Sequence, residues 1–313
     1  MMMEKMCAKS NGLKRVVAGV AALVMIGGLA ACGNAGSSSV DGNASANADG
    51  TIEVVASINQ WGSVARDLGG DKVDVKSIMT ATNVEAHDYE PTSSDIAVFS
   101  KAQVAVVNGA DYDSWASKAA DATKATVVDA AETAGKKDGD NPHVWFSHDV
   151  REKTADAITA AYVKALPDQK EYFEQQHEAW EKKEQAVEDK IDAAKATTQG
   201  VPYAASESVA WYLADDLGMT DATTDGYKNA SANESEPSPA DIKAFVDALE
   251  SGSIKTFVLN TQEEDSTTKQ LIDAAKKGSV PTVELTEQMP KEYDDLTDWM
   301  GALVDDFAAA VKQ

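Results

Sequence analysis

Between Gln169 and Ala196 the chain runs for nearly thirty residues without a proline or a glycine. The run is rich in Glu, Lys, Gln and Ala, all good helix formers. Tyr172, Trp180, Val187 and Ile191 supply a sparse apolar side. A helix of that length spans about 40 Å at a rise of about 1.5 Å per residue. It predicts either a rigid connector between two lobes or a surface helix within one domain. The flanking sequence favours the connector. Before it, expected strands at 52–56, 73–79, 103–107 and 125–128 alternate with expected helices at 60–68, 94–101, 114–122 and 149–165. After it, strands at 202–206, 255–260 and 282–285 alternate with helices at 209–217, 240–249, 266–277 and 294–311. Such alternation implies βαβ units and a mostly parallel sheet. The expected fold class is α/β: two lobes, each a mostly parallel sheet flanked by helices, joined by one long rigid helix. The expected boundaries are 51–166 for the N-terminal lobe, 167–198 for the connector and 199–313 for the C-terminal lobe.

The first fifty residues stand apart. Lys5, Lys9, Lys14 and Arg15 precede an apolar run from Val16 to Ala31, which ends at Leu29-Ala30-Ala31-Cys32. A basic start, a short apolar stretch and small residues before a cut site read as a secretory signal. The run is short of the roughly 20 residues a bilayer span needs. Leu-Ala-Ala-Cys resembles a bacterial lipobox, so residues 1–32 are expected to be a lipoprotein signal peptide whose Cys32 is diacylated. Residues 33–50 are Gly, Ser, Asn and Ala with almost no large apolar side chain, and read as a flexible tether. Cys7 would leave with the leader, so the mature chain keeps no free thiol and must be stabilised by packing. The leader holds four basic residues and one acidic, and its loss takes the formal net charge from −24 to −27. Such a surface repels nucleic acid and draws in cations.

Four histidines can be weighed one by one. His87 lies in Glu85-Ala86-His87-Asp88-Tyr89-Glu90-Pro91, after the second strand and before a helix start marked by Thr92-x-x-Asp95, a capping-box pattern. His143 lies in Asn141-Pro142-His143-Val144-Trp145, after the fourth strand. Ligands of open parallel sheets gather outside the carboxyl ends of the strands, so both imidazoles are expected on one edge of one lobe. Two neutral imidazoles suit zinc, manganese, iron, cobalt or nickel. His148, at a helix start, and His177, on the connector, are expected to be structural or solvated. From the second lobe, Glu207 follows the strand at 202–206, and Glu263, Glu264 and Asp265 follow the strand at 255–260. Two histidines and two carboxylates would balance a dication, which matters because an uncompensated buried charge is costly. The 263–265 run also reads as a solvated acidic loop in which Asp265 caps the next helix.

Together these segments resemble the metal-binding lipoproteins of ABC transporters, the TroA-like or cluster A-I solute-binding proteins for zinc and manganese. The likeness covers nearly the whole mature chain. His87-Asp88-Tyr89-Glu90-Pro91-Thr92, Asn108-Gly109 with Tyr112, Asn141-Pro142-His143-Val144-Trp145, Ser206-Glu207 and Glu236-Pro237-Ser238-Pro239 carry it. The resemblance implies metal ligands His87, His143, Glu207 and a fourth from the loop after Phe257-Val258-Leu259. An Asp is usual there, whereas this chain reads Asn260-Thr261-Gln262-Glu263-Glu264-Asp265. Glu263 aligns best, with Asp265, Gln262 or a water as alternatives. No His-rich loop separates the two His motifs, and with Glu at 207 manganese stands open beside zinc. What the resemblance implies further is a monomer on the outer face of the cell membrane, anchored through its lipid, that passes its ion to an ABC permease. A surface-adhesin role is admitted as a secondary activity.

Two other classes compete. A secreted metal-dependent hydrolase would need an open coordination position and a general base. A binding protein for an organic solute would need an aromatic cleft. The sequence carries no His-Glu-x-x-His, Gly-x-Ser-x-Gly, P-loop or dinucleotide-binding motif, so the chain is not expected to be an enzyme.

Overall fold

The computed structural model describes residues 50–83, 89–233 and 235–312. The signal peptide, Cys32, all but the last residue of the tether, and His87 lie outside the described residues. The N-terminal lobe begins with β1 (Ile52–Ile58), α1 (Asn59–Gly69), β2 (Val73–Met79), α2 (Ser93–Phe99) and β3 (Val104–Val107). It continues through α3 (Ser114–Asp121), β4 (Thr126–Asp129), α4 (Ala130–Thr133) and α5 (His148–Ala165). Helix α6 (Lys170–Thr198) follows. The C-terminal lobe comprises β5 (Pro202–Ala205), α7 (Trp211–Asp216), β6 (Thr220–Asp221), α8 (Asp225–Ala232), α9 (Pro239–Glu250), β7 (Thr256–Asn260), α10 (Ser266–Gly278), β8 (Thr282–Leu285) and α11 (Leu296–Ala310).

Both sheets are parallel throughout and share one topology: β2-β1-β3-β4 in the first lobe and β6-β5-β7-β8 in the second. Central strands are buried on both faces, so β1 reads Ile-Glu-Val-Val-Ala-Ser-Ile and β3 Val-Ala-Val-Val, with no clean alternation. The edge strand β2 does alternate: Val73 and Val75 are half-buried while Asp74 and Lys76 face water. In each sheet the chain reverses its winding between the first and third strands of the lobe, which opens a crevice at their carboxyl ends.

Several local expectations hold at the level of hydrogen bonds. The Thr92 hydroxyl accepts from the Asp95 amide and Asp95 reaches back to the Thr92 amide, a complete capping box for α2. Ser238 caps α9 with Pro239 in its first turn. Strand β6 and helix α8 were not expected. β6 pairs through two residues only, too short for a periodicity, and α8 carries Gly226 and Asn229, weak helix formers.

Helix α6 is more than a spacer. Its buried residues Phe173, Trp180, Glu184, Val187, Ile191, Ala194 and Thr198 recur at spacings of three, four and seven, a seam that faces neighbours along the whole length. It packs against α1 and α5 of the first lobe and most extensively against α11 of the second. The largest apolar cluster accordingly runs without a break from β1 through α6 to α11. The one charge in that seam is Glu184. Both its oxygens accept from Nε of the buried Arg151, at 2.9 and 3.1 Å, and its Oε1 also meets the Arg151 Nη2. Arg151 donates its remaining Nη1 to the Trp145 carbonyl at 3.0 Å. His148 Nδ1 approaches the same Glu184 oxygen at 2.9 Å and Glu188 at 3.3 Å.

The bond to Glu184 lifts the His148 pKa above its ordinary value, helped by the charges of Glu188 and Glu152. A group whose folded pKa is raised stabilises the fold below its unfolded pKa, and that contribution fades as pH climbs through the folded value. His148→Gln is therefore expected to lower the melting temperature most below about pH 6.5, the unperturbed imidazole value, with the gap from the unsubstituted chain narrowing toward alkaline pH. Thermal melts in metal-free buffers across that range check it, and a gap that widened with pH would overturn it.

Candidate metal centre

The crevice ends of both sheets face one another, and three glutamates of the second lobe lie there within three positions of a strand end. Glu207 lies two residues beyond β5, Glu263 three beyond β7 and Glu287 two beyond β8. One carboxylate oxygen from each falls within 4.8 Å of the other two. From the opposite lobe His143 brings its Nε2 to 4.0 Å from Glu287 Oε1. A cleft of about 620 Å³ opens over the group, with His143, Glu207 and Glu263 among its walls.

Each donor is held by its own contacts. The His143 ring meets Tyr112 and Trp145 edge-on, with centroids 5.9 and 5.5 Å away. Its Nδ1 lies 2.8 Å from Asn141 Oδ1, which also accepts the His143 amide at 3.0 Å. Because an amide oxygen only accepts, Nδ1 carries a proton, and the other ring nitrogen, Nε2, is turned toward Glu287. The loop bearing His143 is fastened from below by Asn108: its Nδ2 donates to the Pro142 carbonyl at 2.8 Å and its Oδ1 accepts from Trp61 Nε1 at 3.0 Å. Gly109 follows at φ +76°, where a Cβ would meet Asp129 Oδ1 at 2.1 Å, so the Asn-Gly pair is required by geometry at both positions.

Glu287 is fully buried. Its Oε2 accepts from the Tyr112 hydroxyl at 2.7 Å, and Gln288 Nε2 donates to the same hydroxyl oxygen at 2.8 Å. Burial, reinforced by the Glu287 charge, pushes the Tyr112 pKa well up, so the phenol stays a donor. The buried Asn260 places its Nδ2 between two carboxylates, 3.1 Å from Glu207 Oε2 and 3.3 Å from Glu287 Oε1. One neutral donor thus bridges two carboxylates of the same lobe.

The sequence brought His143, Glu207 and Glu263 to this place and missed Glu287. The strand at 282–285 was legible, and the signal was the one that identified Glu207, an acidic residue just past a strand end. The alternatives to Glu263 have other work. Although burial opposes it, the Thr268 and Thr267 amides, which donate to its side chain, hold Asp265 below the usual carboxylate range while it caps α10. Gln262 Nε2 is turned to Gln288 Oε1 at 2.5 Å. His148 lies outside the cleft group. It does form a second cluster with Glu184 and Glu188, but the Arg151 guanidinium on Glu184 already supplies the cation there. His177 is held by Thr159 Oγ1 at 2.9 Å and by Asp156 and Glu181, also outside the cleft group.

A family model described as "ZnuA: Zinc-uptake complex component A periplasmic" matches residues 54–310. The chain belongs to this family. Among curated proteins it is 28% identical over 212 residues to the high-affinity zinc uptake system protein ZnuA of Bacillus subtilis, an overlap that covers 61% of this chain and 65% of that one. It is 28% identical over 163 residues to the manganese-binding lipoprotein MntA of Halalkalibacterium halodurans, covering 50% of this chain and 54% of MntA. The chain thus spans less than two thirds of the length of these curated relatives. Among solved structures, the metal-dependent lipoprotein YcdH of Bacillus subtilis superposes with a TM-score of 0.65 at 25% identity, over 82% of this chain and 98% of YcdH. The periplasmic zinc-binding protein TroA of Treponema pallidum superposes at 0.68 and 19% identity, over 84% of this chain and 99% of TroA. The two-lobed fold with its long helix is therefore the ZnuA-family fold. None of these relatives supports a hydrolase.

In this ZnuA-family chain, Glu287→Gln keeps the shape of the side chain and an oxygen for Tyr112 while removing one charge from the cleft. It is expected to cut the rise in melting temperature that a divalent ion produces to less than half, with the metal-free fold retained by circular dichroism. A full metal-induced rise in the variant would assign Glu287 to structure alone. The factor of one half corresponds to roughly a 100-fold loss where the ion stabilises by about 5 kcal/mol.

Proposed function

We propose that the chain is the extracytoplasmic solute-binding protein of an ABC transporter, which captures zinc or manganese between its lobes and delivers it to a membrane permease. The reading is carried by one observation: an imidazole from one lobe stands 4.0 Å from the buried member of a cluster of three carboxylates on the other. His143, Glu207 and Glu287 are the proposed ligands inside the described residues, Glu263 closes the group from the cleft side, and His87, from the loop after β2, is proposed to join them. The ion is cargo. It arrives partly hydrated, exchanges water for these donors as the lobes settle, and leaves when the permease parts them. No bond in a substrate is made or broken.

The donor set suits this cargo. Carboxylates favour harder ions such as manganese, and imidazole favours zinc, while for a given N/O site zinc binds more tightly. The relatives named for zinc and for manganese fall on both sides of that choice. The proposed anchor is Cys32, diacylated after signal cleavage, with the Gly/Ser/Asn-rich segment 33–50 as leash. Two of the relatives are named lipoproteins.

Elemental analysis of the purified protein, followed by competitive zinc and manganese titration, tests the proposal. A stoichiometry of one ion per chain is expected. In thousand-fold excess over Kd such an ion stabilises the fold by about 4 kcal/mol. His143→Ala is expected to lose most of the high-affinity binding and its thermal shift while remaining folded. An unaltered isotherm in His143→Ala would remove His143 from the site, and a protein that binds neither ion would end the proposal.

A further inference from the structure

The two lobes meet along two polar seams, one on each side of the metal group. In the first, the start of α1 holds the strand-end loop of β8: Asn59 Nδ2 donates to the Met289 carbonyl at 2.6 Å, Gln60 Nε2 to the Glu287 carbonyl at 2.6 Å, and the Leu296 amide to Ser63 Oγ at 3.0 Å. The second seam is sparser and turns on one residue. Asn141, in the first lobe, donates from Nδ2 to the Ser208 carbonyl of the second lobe at 2.8 Å. Its own carbonyl accepts from the Tyr212 hydroxyl of the second lobe at 3.0 Å, and Lys136 lies 4.9 Å above that tyrosine ring. Ser208 is the residue after Glu207.

The other end of the same Asn141 amide is the oxygen that holds the His143 Nδ1 proton, at 2.8 Å. One planar group therefore touches a ligand of the first lobe and the loop of a ligand in the second. We infer that Asn141 is a positioning residue that couples lobe closure to metal affinity, by fixing His143 in the ligating tautomer more firmly when its own amide is also pinned to Ser208. The inference rests on the proposed role of His143 and Glu207 as ligands.

The mechanism is linkage. With the lobes together, both ends of the amide are engaged and its plane is fixed, which favours the tautomer with the proton on Nδ1. When the lobes part, the Ser208 bond breaks and the amide is held only at its oxygen end, by the His143 amide and Nδ1, so its plane is less firmly fixed and the imidazole gains access to the other tautomer. An ion that needs the lone pair on Nε2 then favours the closed state, and the closed state favours the ion by the same factor. Loss of such a supporting bond to a histidine ligand ordinarily costs about 10- to 100-fold in affinity.

Two substitutions separate the halves of the coupling. Asn141→Ala removes the bond to Ser208 and both bonds to His143, at Nδ1 and at the backbone amide. Asn141→Asp retains an acceptor for Nδ1–H but loses the donor to Ser208, where it sets a carboxylate against a carbonyl. In the whole protein, with diamagnetic zinc as the probe, ¹⁵N spectra of labelled histidine read the His143 tautomer, and amide hydrogen exchange in segment 206–212 reads the seam. Asn141→Ala is expected to raise the zinc Kd by about 10- to 100-fold, to mix the metal-free tautomers and to speed exchange in 206–212. Asn141→Asp is expected to keep the proton on Nδ1 yet speed exchange in the same segment. An unchanged tautomer in Asn141→Ala, or unchanged exchange in both variants, overturns the coupling. His143→Ala and Glu207→Ala, measured alongside, keep the two readings apart. If they bind zinc normally, the ligand assignment has failed. If they lose zinc while the Asn141 variants bind as the unsubstituted chain does, only the coupling has.

Discussion

Like charges crowded at the carboxyl ends of one sheet set the terms for everything else in this molecule. Glu207, Glu263 and Glu287 each bring an oxygen within 4.8 Å of the others, and two unit charges about 5 Å apart repel by roughly 3 kcal/mol at an effective dielectric near 20. The fold tolerates the cluster by two means. Hydrogen bonds from Tyr112 and Asn260 hold the carboxylates in place, and the opposite lobe presents an imidazole rather than another acid. A dication at that point would turn each repulsion into an attraction through a shared partner.

That arrangement needs two lobes whose separation is controlled. Helix α6 provides the control by packing against both halves along its length, so that the largest apolar cluster is common to them. Opening the cleft widely would expose part of that seam, at about 25 cal/mol for each Å² of apolar surface uncovered. Small displacements about the polar seams cost far less. The seam at Asn59, Gln60 and Ser63 has several side-chain bonds to the backbone of the 287–296 segment, whereas the seam at Asn141 has one amide, one phenol and one cation over a ring. The sparser seam is the one that can yield, and it carries the histidine.

Much of this was legible in the sequence, for reasons that differ from residue to residue. The α6 run stood out because twenty-eight positions without a helix breaker coincide there with a composition rich in Glu, Lys, Gln and Ala. His143 stood out because histidine is scarce here and its flanking Pro and Trp mark a loop against a core. Glu287 did not, since the chain has 52 acidic residues and position alone separates a ligand from a solvated face. That position was knowable: strand ends at 205, 260 and 285 are each followed within three residues by a glutamate. Asn141 could not have been read as a coupler, because its two partners, His143 and the Ser208 carbonyl, lie on different lobes and one is backbone.

A cargo site must release what it binds, and the chemistry of the donors bears on that. A resident zinc site is usually closed by four strong donors whose supporting bonds lie within one rigid domain. Here the imidazole belongs to one lobe and the carboxylates to the other, and Asn260 already bridges two of those carboxylates without an ion. When the ion departs, that amide remains between Glu207 and Glu287 and spares the empty cleft part of the repulsion that would otherwise drive it to rebind. The protonated Tyr112 does the same for the second oxygen of Glu287. Such neutral donors stabilise the ion-free carboxylates, and on the proposed reading they would ease release. On the proposed reading, affinity would then depend on whether the lobes are held together, and a permease would need only to separate them.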